Sequence, residues 1–308
     1  MDTLNAMRIF VRVVDAGSIT AAADQLDLAK SAVSRRLAEL EEHLQVRLLN
    51  RTTRRMTLTD PGRSFYQRAQ RMLDDLAEAE AEARGAASQV SGRLRVAAPL
   101  SFGLRQLAPA ITDFAQRYPQ VDIDIDLNDR PVDLIGEGFD LAIRIADLES
   151  SGLVARKLTT IRHVLCASPA YWQTHGRPQH PDELAEHVML RYANTASHSW
   201  HWSGPDGTRG ELRLKTRLQA NNGDFLLQAA ERGLGLLIQP CFIANDAILA
   251  GRLQAALLNY QWKALHAYAV YPPHRHLPAR VRHLIDFLAQ RFGEAPSWDA
   301  CLRSTAVA

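Results

Sequence analysis

The stretch from residue 17 to residue 37, GSITAAADQLDLAKSAVSRRL, decides the fold of the N-terminal part of the chain. Gly17 can adopt a positive φ, and the hydroxyl of Ser18 can accept a hydrogen bond from the free N–H groups of a following helix. We predict a short helix over residues 19–25 and, after a tight connection, another helix over residues 30–44.

Two alanines, Ala22 and Ala23, fall where these helices must approach closely, and larger side chains would hold them apart. A first amphipathic helix over residues 4–14 precedes them, because its apolar residues recur near helical spacing. The pattern predicts a helix-turn-helix, whose second helix turns its N-terminal residues toward base edges in the major groove.

The predicted second helix of this motif begins with side chains that donate hydrogen bonds: Lys30, Ser31, Ser34 and Arg35. An arginine can donate to O6 and N7 of guanine at once, so these residues are candidates for base recognition. For the pair Arg35 and Arg36, the alternative is an ordinary solvated helix face.

Residues 46–59 alternate and read as a short β-hairpin, or wing, beside the motif. Residues 44–59 contain four arginines and no acidic residue, which makes this segment locally +4 in a chain of net charge +2. Such a segment suits phosphate contacts, which supply affinity and salt dependence but little sequence discrimination. The predicted DNA-binding side chains are Thr20, Lys30, Ser31, Ser34, Arg35, Arg36, Arg51, Thr53, Arg54 and Arg55.

Pro61 suits the first turn of a further helix, which we predict to run from residue 61 to residue 88. Its small and medium apolar residues step by four and three, as in a heptad seam, and its opposite face is charged. We expect this seam to form a homodimer, and the alternative is packing on its own domain. The seam residues are Phe65, Ala69, Met72, Leu76, Ala79 and Ala83.

Small and polar residues over 85–92 suggest a hinge, after which strands and helices alternate to the end of the chain. Residues 121–127 alternate strictly and predict a strand with one wet face. The order implies α/β units with a mostly parallel sheet, and the length favours two small lobes over one sheet.

The motifs quoted so far resemble the LysR-type transcriptional regulators. The matching residues are 17–23, 31–37, 47–54 and 58–62, and Arg51-Thr52-Thr53-Arg54 is similar to the CrgA-like branch. Lys30 stands where the family often has Gln, and Ala29 stands where a Ser often caps the recognition helix.

The resemblance implies an α/β chain of three parts. These are a winged helix-turn-helix over 1–60, a linker helix over 61–88 and a periplasmic-binding-protein-like effector-binding module over 89–308. In that module, the first lobe would hold 92–161 and 267–308, and the second lobe would hold 162–266.

The family works as a dimer or tetramer on double-stranded promoter DNA and responds to a small-molecule inducer in the cleft between the lobes. We therefore expect a homodimer or homotetramer, an organic acid or aromatic inducer, and RNA polymerase as a further partner. The expected effector-binding residues are Ser101, Phe102, Asn128, Arg144, Ile145, Trp200, His201, Asn222 and Asp224.

Three of these residues also have simpler interpretations. Ser101 can serve as a helix cap, and Arg144 can pair with Asp140 or Asp147. Trp200 is two residues from Trp202, so both can face one core.

An enzyme is the first rival class, but the 11 histidines form no H-E-x-x-H, and there is no G-x-S-x-G elbow or P-loop. His198 with His201, and His274 with His276, lack an acid or cysteine that would complete a metal site. We expect no cofactor and no metal, and we expect Cys166 to be buried rather than nucleophilic.

The second rival class is an exported solute-binding protein, which would differ from a regulator in its cellular location. The three cysteines lie far apart without a C-x-x-C pair, which fits a reducing compartment. No apolar run reaches the roughly 20 residues of a membrane span. The start Met1-Asp2-Thr3 also lacks the basic and apolar regions of a secretion signal. We therefore expect a cytoplasmic protein without a membrane partner.

Overall fold

The computed structural model describes residues 2–51, 56–83, 90–147, 153–194, 199–273 and 277–303. The chain divides into two compact units, Met1–Gly92 and Arg93–Ala308. Within the described residues, no helix is both long and apolar enough to cross a bilayer.

The first unit is a three-helix motif followed by a hairpin and a long helix. Its elements are α1 (Thr3–Asp15), α2 (Ile19–Leu26), α3 (Lys30–Leu44), β1 (Leu49–Arg51), β2 (Met56–Leu58) and α4 (Asp60–Ala83). The predicted order is confirmed, and α3 has the predicted bounds. The tip of the hairpin, residues 52–55, and the predicted end of the long helix, residues 84–88, lie outside the described residues.

Local chemistry sets the ends of the two motif helices. The Ser18 hydroxyl accepts from the N–H of Ala21 at 3.1 Å and so caps α2. Gly17 takes a φ of +68° before it, as predicted. Asp27 and Gln45 each end their helix in the left-handed region, at a φ of 52°.

The core of the first unit forms where the three helices meet. Ala22 and Ala23 are 0% and 2% exposed, so the close approach predicted from these small side chains is confirmed. Phe10 and the α3 residues Val33 and Leu37 complete this core.

The second unit begins with a five-stranded sheet and its helices, which we call the first lobe. Its elements are β3 (Gly92–Ala98), α5 (Leu100–Phe102), a π-helical turn (Gly103–Leu107), α6 (Ala108–Arg117), β4 (Val121–Leu127), α7 (Leu134–Glu137), β5 (Leu141–Ala146) and β6 (Val154–Ile161). Near the end of the chain, β15 (Leu265–Tyr271) and α11 (Ala279–Phe292) return to it. The strand order is β4-β3-β5-β15-β6.

The second lobe lies between β6 and β15 in sequence. Its elements are β7 (His163–Ala167), α8 (Pro169–His175), a 3-10 helix (Pro181–Glu186), β8 (Val188–Tyr192), β9 (Trp200–Ser203), β10 (Arg209–Leu212), β11 (Lys215–Ala220), α9 (Gly223–Glu231), β12 (Leu237–Pro240), α10 (Cys241–Leu249), β13 (Gln254–Ala256) and β14 (Gln261–Trp262). A final 3-10 helix, Ser297–Leu302, packs against α10.

The sheets are mixed, so the expectation of a mostly parallel sheet is wrong. β3 and β5 are parallel, as are β8 and β11, but β15 runs antiparallel to both β5 and β6. In the second lobe, β12 and β13 both run antiparallel to β7. The cause in the first lobe is topological, because the chain leaves after β6 and returns as β15 between two strands already in the sheet.

Candidate functional sites

The start of α3 presents polar side chains on an exposed face. Lys30, Ser31 and Arg35 are exposed, whereas Ser34 and Arg36 are half-buried. The side chain of Arg35 is 70% exposed and its Nε lies 3.7 Å from the Glu39 carboxylate. An exposed pair at this distance binds weakly, so the guanidinium can turn to another acceptor.

The first turn of α3 begins without a side-chain cap. Ala29 occupies the N-cap position and makes no side-chain hydrogen bond there, in contrast to Ser18 before α2. The free N–H groups of a helix start favour anions. Thr20, the second residue of α2, is also exposed.

The wing is held to α3 by a carboxylate that the sequence did not single out. Oε1 of Glu41 accepts from the N–H of Leu48 at 2.8 Å and from the N–H of Leu49 at 3.1 Å. Gly62 also holds this strand closely, because a Cβ at that position would lie 1.9 Å from the carbonyl oxygen of Leu48. Both residues position the wing, and neither is among the residues predicted to contact DNA.

Two of the four wing arginines, Arg47 and Arg51, belong to the described residues. Arg47 is exposed ahead of β1, and Arg51 is the last residue of β1, where it pairs with Met56 of β2. Thr53, Arg54 and Arg55 lie outside the described residues, so their contacts with DNA stay a prediction.

The predicted dimer seam on α4 divides into two parts. The ring of Phe65 lies 5.6 Å from that of Phe10, and Ala69 is 1% exposed, so these two residues are used inside the chain. For Phe65, packing on its own domain is therefore what the structure shows. Further along, Met72 is 56% exposed and Leu76 half-buried. Ala79 is exposed, and the side chain of Ala83 is not described.

In the second unit, Ser101 and Asp224 meet although 123 positions separate them. The Ser101 hydroxyl, in the first lobe, donates to Oδ2 of Asp224 at the start of α9 in the second lobe. Arg105 donates from Nε to Oδ1 of Asp224 at 2.8 Å, and its Nη2 lies 2.6 Å from the same oxygen. Asn222 caps α9 through the N–H of Phe225, and its Nδ2 lies 3.5 Å from the Ser101 oxygen.

A second contact between the lobes involves Asp129. Its carboxylate accepts from the N–H of Leu100 at 3.1 Å and from the side chain of Tyr192. Burial raises the pKa of Asp129, and the nearby charge of Asp224 adds to the rise. Burial also raises the pKa of Tyr192 to about 12. Nδ2 of Asn194 completes the contact by donating to the Asp129 carbonyl at 3.3 Å.

Two other expected effector residues of the first lobe make structural contacts, Phe102 across to α10 of the second lobe and Asn128 within its own lobe. Phe102 is fully buried, and its ring lies 5.2 Å from Phe242 and 5.5 Å from Phe292. Asn128 donates to Asp126 at 2.5 Å and accepts from the N–H of Arg130.

Arg144 and Ile145 lie on β5, and both are half-buried. Nη2 of Arg144 donates to the carbonyl of Val132 at 2.8 Å. The expected acids are engaged by other residues: Asp140 accepts from the N–H of Arg95, and Asp147 pairs with Lys263.

The tryptophans of β9 follow the simpler interpretation. Trp202 is buried in the apolar core of the second lobe, and Trp200 packs against the same core. His201, between them, is exposed, and its carbonyl accepts from the N–H of Lys263 at 3.0 Å.

The cysteines come together despite their distance in sequence. Cys166, Cys241 and Cys301 are all fully buried, which confirms the prediction for Cys166. Burial raises the pKa of Cys166 well above its usual value, and a hydrogen bond with Cys301 does the same for Cys241. Neutral buried thiols are poor nucleophiles.

Where the chain is described, no three His, Cys, Asp or Glu side chains form a group that could hold a metal ion. His198, His274 and His276 fall outside that part of the chain. The arrangement therefore offers two sets of groups that could bind a partner: the exposed donors of α3 beside the wing, and the polar cluster between the lobes.

Comparison with known proteins places both regions in one family. Residues 4–63 match the family described as bacterial regulatory helix-turn-helix protein, lysR family, and residues 87–293 match the LysR substrate binding domain. An uncharacterized HTH-type transcriptional regulator of Haemophilus influenzae is 39% identical, over 91% of this chain and 98% of its own length.

Two solved structures extend the likeness to the fold. CrgA, a LysR-type transcriptional regulator from Neisseria meningitidis, is 34% identical, with a TM-score of 0.59 over 93% of this chain and 97% of its own. The Vibrio cholerae virulence activator AphB is 29% identical, with a TM-score of 0.59 over 93% of this chain and 98% of its own. These relatives are named as regulators of transcription and not as enzymes.

Proposed function

This chain belongs to the LysR family of bacterial transcriptional regulators, and from that membership we propose that it binds promoter DNA as a dimer or tetramer and answers to a small inducer between its lobes. The observation that carries the proposal is the exposed donor face of α3, Lys30, Ser31 and Arg35, beside a wing segment with four arginines.

The donor face and the wing have different tasks in this proposal. Arg35, with its weakly held guanidinium, reads base edges in the major groove. The wing arginines, Arg51, Arg54 and Arg55, contact phosphates and supply affinity that does not depend on sequence. The uncapped first turn of α3 adds a further place for a phosphate oxygen, because Ala29 leaves its N–H groups without a side-chain acceptor.

The oligomer is formed in part by the section of α4 in which Met72 and Ala79 are exposed and Leu76 is half-buried. An apolar side chain that is 56% exposed on a long helix gains from a partner that covers it. Two recognition helices in one oligomer would read two half-sites spaced by whole turns of the duplex. RNA polymerase is the further partner expected at a promoter, and the cytoplasm is the place where promoter DNA is found.

The inducer is proposed to bind between the lobes, where Ser101, Asn222 and Asp224 meet. Strand ends and the start of α9 converge there, and such edges are common ligand sites in α/β proteins. A metabolite screen against the full chain tests this, because a ligand of the native state raises its melting temperature.

DNA binding itself is tested by fluorescence anisotropy. The protein first selects a duplex from a random library, and its affinity is then compared with that for a shuffled duplex at several KCl concentrations. We expect tighter binding of the selected duplex and a steep loss of affinity for both as salt rises. Failure to bind any duplex at micromolar protein and low salt would overturn the regulator function.

A further inference from the structure

The contact between Ser101 and Asp224 has the composition of a filled carboxylate site. One oxygen of Asp224 accepts from the Ser101 hydroxyl, and the other faces two nitrogens of Arg105, at 2.8 and 2.6 Å. Both oxygens are therefore engaged by donors that a free carboxylate ligand would also need. Ser101 is only 5% exposed, whereas the side chains of Asp224 and Arg105 are each 27% exposed, so the position is partly open to solvent.

The charges around this contact leave little room for another anion. Nη1 of Arg105 already lies 3.7 Å from the carboxylate of Asp246, in addition to its pair with Asp224. Asp129 stands close enough to Asp224 for their charges to repel. An added carboxylate would be the fourth in this neighbourhood, after Asp224, Asp246 and Asp129, and the donors of the Arg105 guanidinium are already engaged.

We propose that Asp224 is a built-in anion that fills the carboxylate position of the cleft, so that the cleft takes uncharged or cationic compounds and excludes free carboxylates. The proposal rests on the proposed function, in which the space between the lobes is the effector site. It makes Asp224 the residue that sets effector specificity, and it replaces the organic acid expected from the sequence with a compound that brings no carboxylate.

Removal of the side chain should turn the cleft into an anion site. In Asp224→Ala, the Ser101 hydroxyl and the Arg105 guanidinium are left without the carboxylate they now share. An exogenous carboxylate of the right size can then take its place.

The test uses the full chain and sodium acetate, with sodium chloride at equal ionic strength as reference. We expect the melting temperature of Asp224→Ala to lie below that of the wild type and to rise by about 3 °C along a saturable curve in acetate. The wild type should show no rise beyond that in chloride. Asp246→Ala, which removes a neighbouring carboxylate but not the one on Ser101, should behave like the wild type.

Two further variants sharpen the outcome. Arg105→Ala combined with Asp224→Ala should lose the acetate response, because the guanidinium is gone. Asp224→Ser provides the same vacancy if the alanine variant fails to fold. A saturable rise in the melting temperature of the wild type in acetate or benzoate would overturn the proposal. The lack of such a rise in acetate in both Asp224 variants, once they are shown to fold, would overturn it too.

DNA binding separates this proposal from the function on which it rests. The wild type should bind the selected duplex with salt dependence, and this is measured separately from the acetate response, because the helix-turn-helix belongs to the first unit and Asp224 to the second. If duplex binding is present and the acetate response is absent, only the built-in anion is refuted. If no duplex is bound, the regulator function fails whatever acetate does.

Discussion

Glu41 of α3 accepts hydrogen bonds from the backbone of Leu48, at 2.8 Å, and of its neighbour Leu49, at 3.1 Å, through a single carboxylate oxygen. Leu48 and Leu49 are 1% and 3% exposed, so water cannot readily replace the Glu41 oxygen as the acceptor of these hydrogen bonds. The recognition helix and the wing are joined by this residue, which fixes where the basic segment stands relative to the donor face.

Glu41→Ala should therefore loosen the wing. Two buried N–H groups lose their acceptor, at a cost of about 1–3 kcal/mol each if they stay buried. Hydrogen–deuterium exchange of the full chain should show faster exchange at Leu48 and Leu49, together with weaker duplex binding. Glu41→Gln keeps a carbonyl oxygen, so its exchange rates and duplex affinity should lie between those of Glu41→Ala and the wild type. Glu42→Ala, at an exposed neighbouring position, should match the wild type in both. Unchanged exchange in Glu41→Ala would contradict the role.

Arg35 and Arg54 should differ in what they contribute to DNA binding. Arg35→Ala should lose about 1–3 kcal/mol on the selected duplex and little on the shuffled one. Arg54→Ala should weaken both duplexes equally and lower the salt slope by about 1. Anisotropy titrations over a KCl series measure both quantities.

The partner of Arg35 provides the matched control. Glu39→Ala removes the carboxylate that lies 3.7 Å from Arg35 and 3.1 Å from Arg36, and it should keep or improve binding of the selected duplex, because both guanidinium groups are released. Equal losses on both duplexes for Arg35→Ala would count against base reading.

Leu76→Asp should dissociate the oligomer through α4. A buried charge at a helix–helix contact is strongly unfavourable unless it is paired. Ala77→Asp adds the same charge about 100° around the helix and should leave the oligomer intact. Sedimentation velocity distinguishes the two, and a Leu76→Asp variant that sediments as the wild type would refute the seam. Phe65 is unsuitable for this test, because it packs on Phe10 within the chain.

The parts of the structure that the sequence predicts are those with local causes. The apolar stripe of α3, the small residues Ala22 and Ala23 and the cap at Ser18 act within a few positions of one another. Each leaves a pattern in the sequence, either a periodicity or a helix boundary, and that pattern lies within one short window.

The remainder depends on contacts between distant segments. The insertion of β15 between β5 and β6 makes the first sheet mixed, and no periodicity marks where a returning strand will pair. Ser101 and Asp224 were both expected near the effector, but their mutual hydrogen bond was not, because spacing along the chain carries no information across 123 positions. Glu41 was missed for a related reason, since its acceptor role needs the folded position of the wing.

His163 should make the second unit less stable in acid. It lies 8% exposed at the start of β7, and burial lowers its pKa from 6.5 to about 4. Below pH 6.5 the unfolded chain therefore binds a proton that the folded chain does not. The stability from neutral His163 is present above pH 6.5 and is lost as the pH falls toward 4, by about 2 kcal/mol between pH 7 and pH 5.

Urea unfolding followed by tryptophan fluorescence measures this effect in the full chain. All five tryptophans, Trp172, Trp200, Trp202, Trp262 and Trp298, belong to the second unit, so the signal reports that unit alone. The ring centroids of His163 and Trp200 lie 5.5 Å apart, and His163→Phe keeps an aromatic ring in this contact. The variant should reduce the loss in the free energy of unfolding between pH 7 and pH 5 by about 2 kcal/mol. His201→Phe, at an exposed position, should retain the full loss. An identical pH dependence in wild type and His163→Phe would show that His163 is not the group responsible.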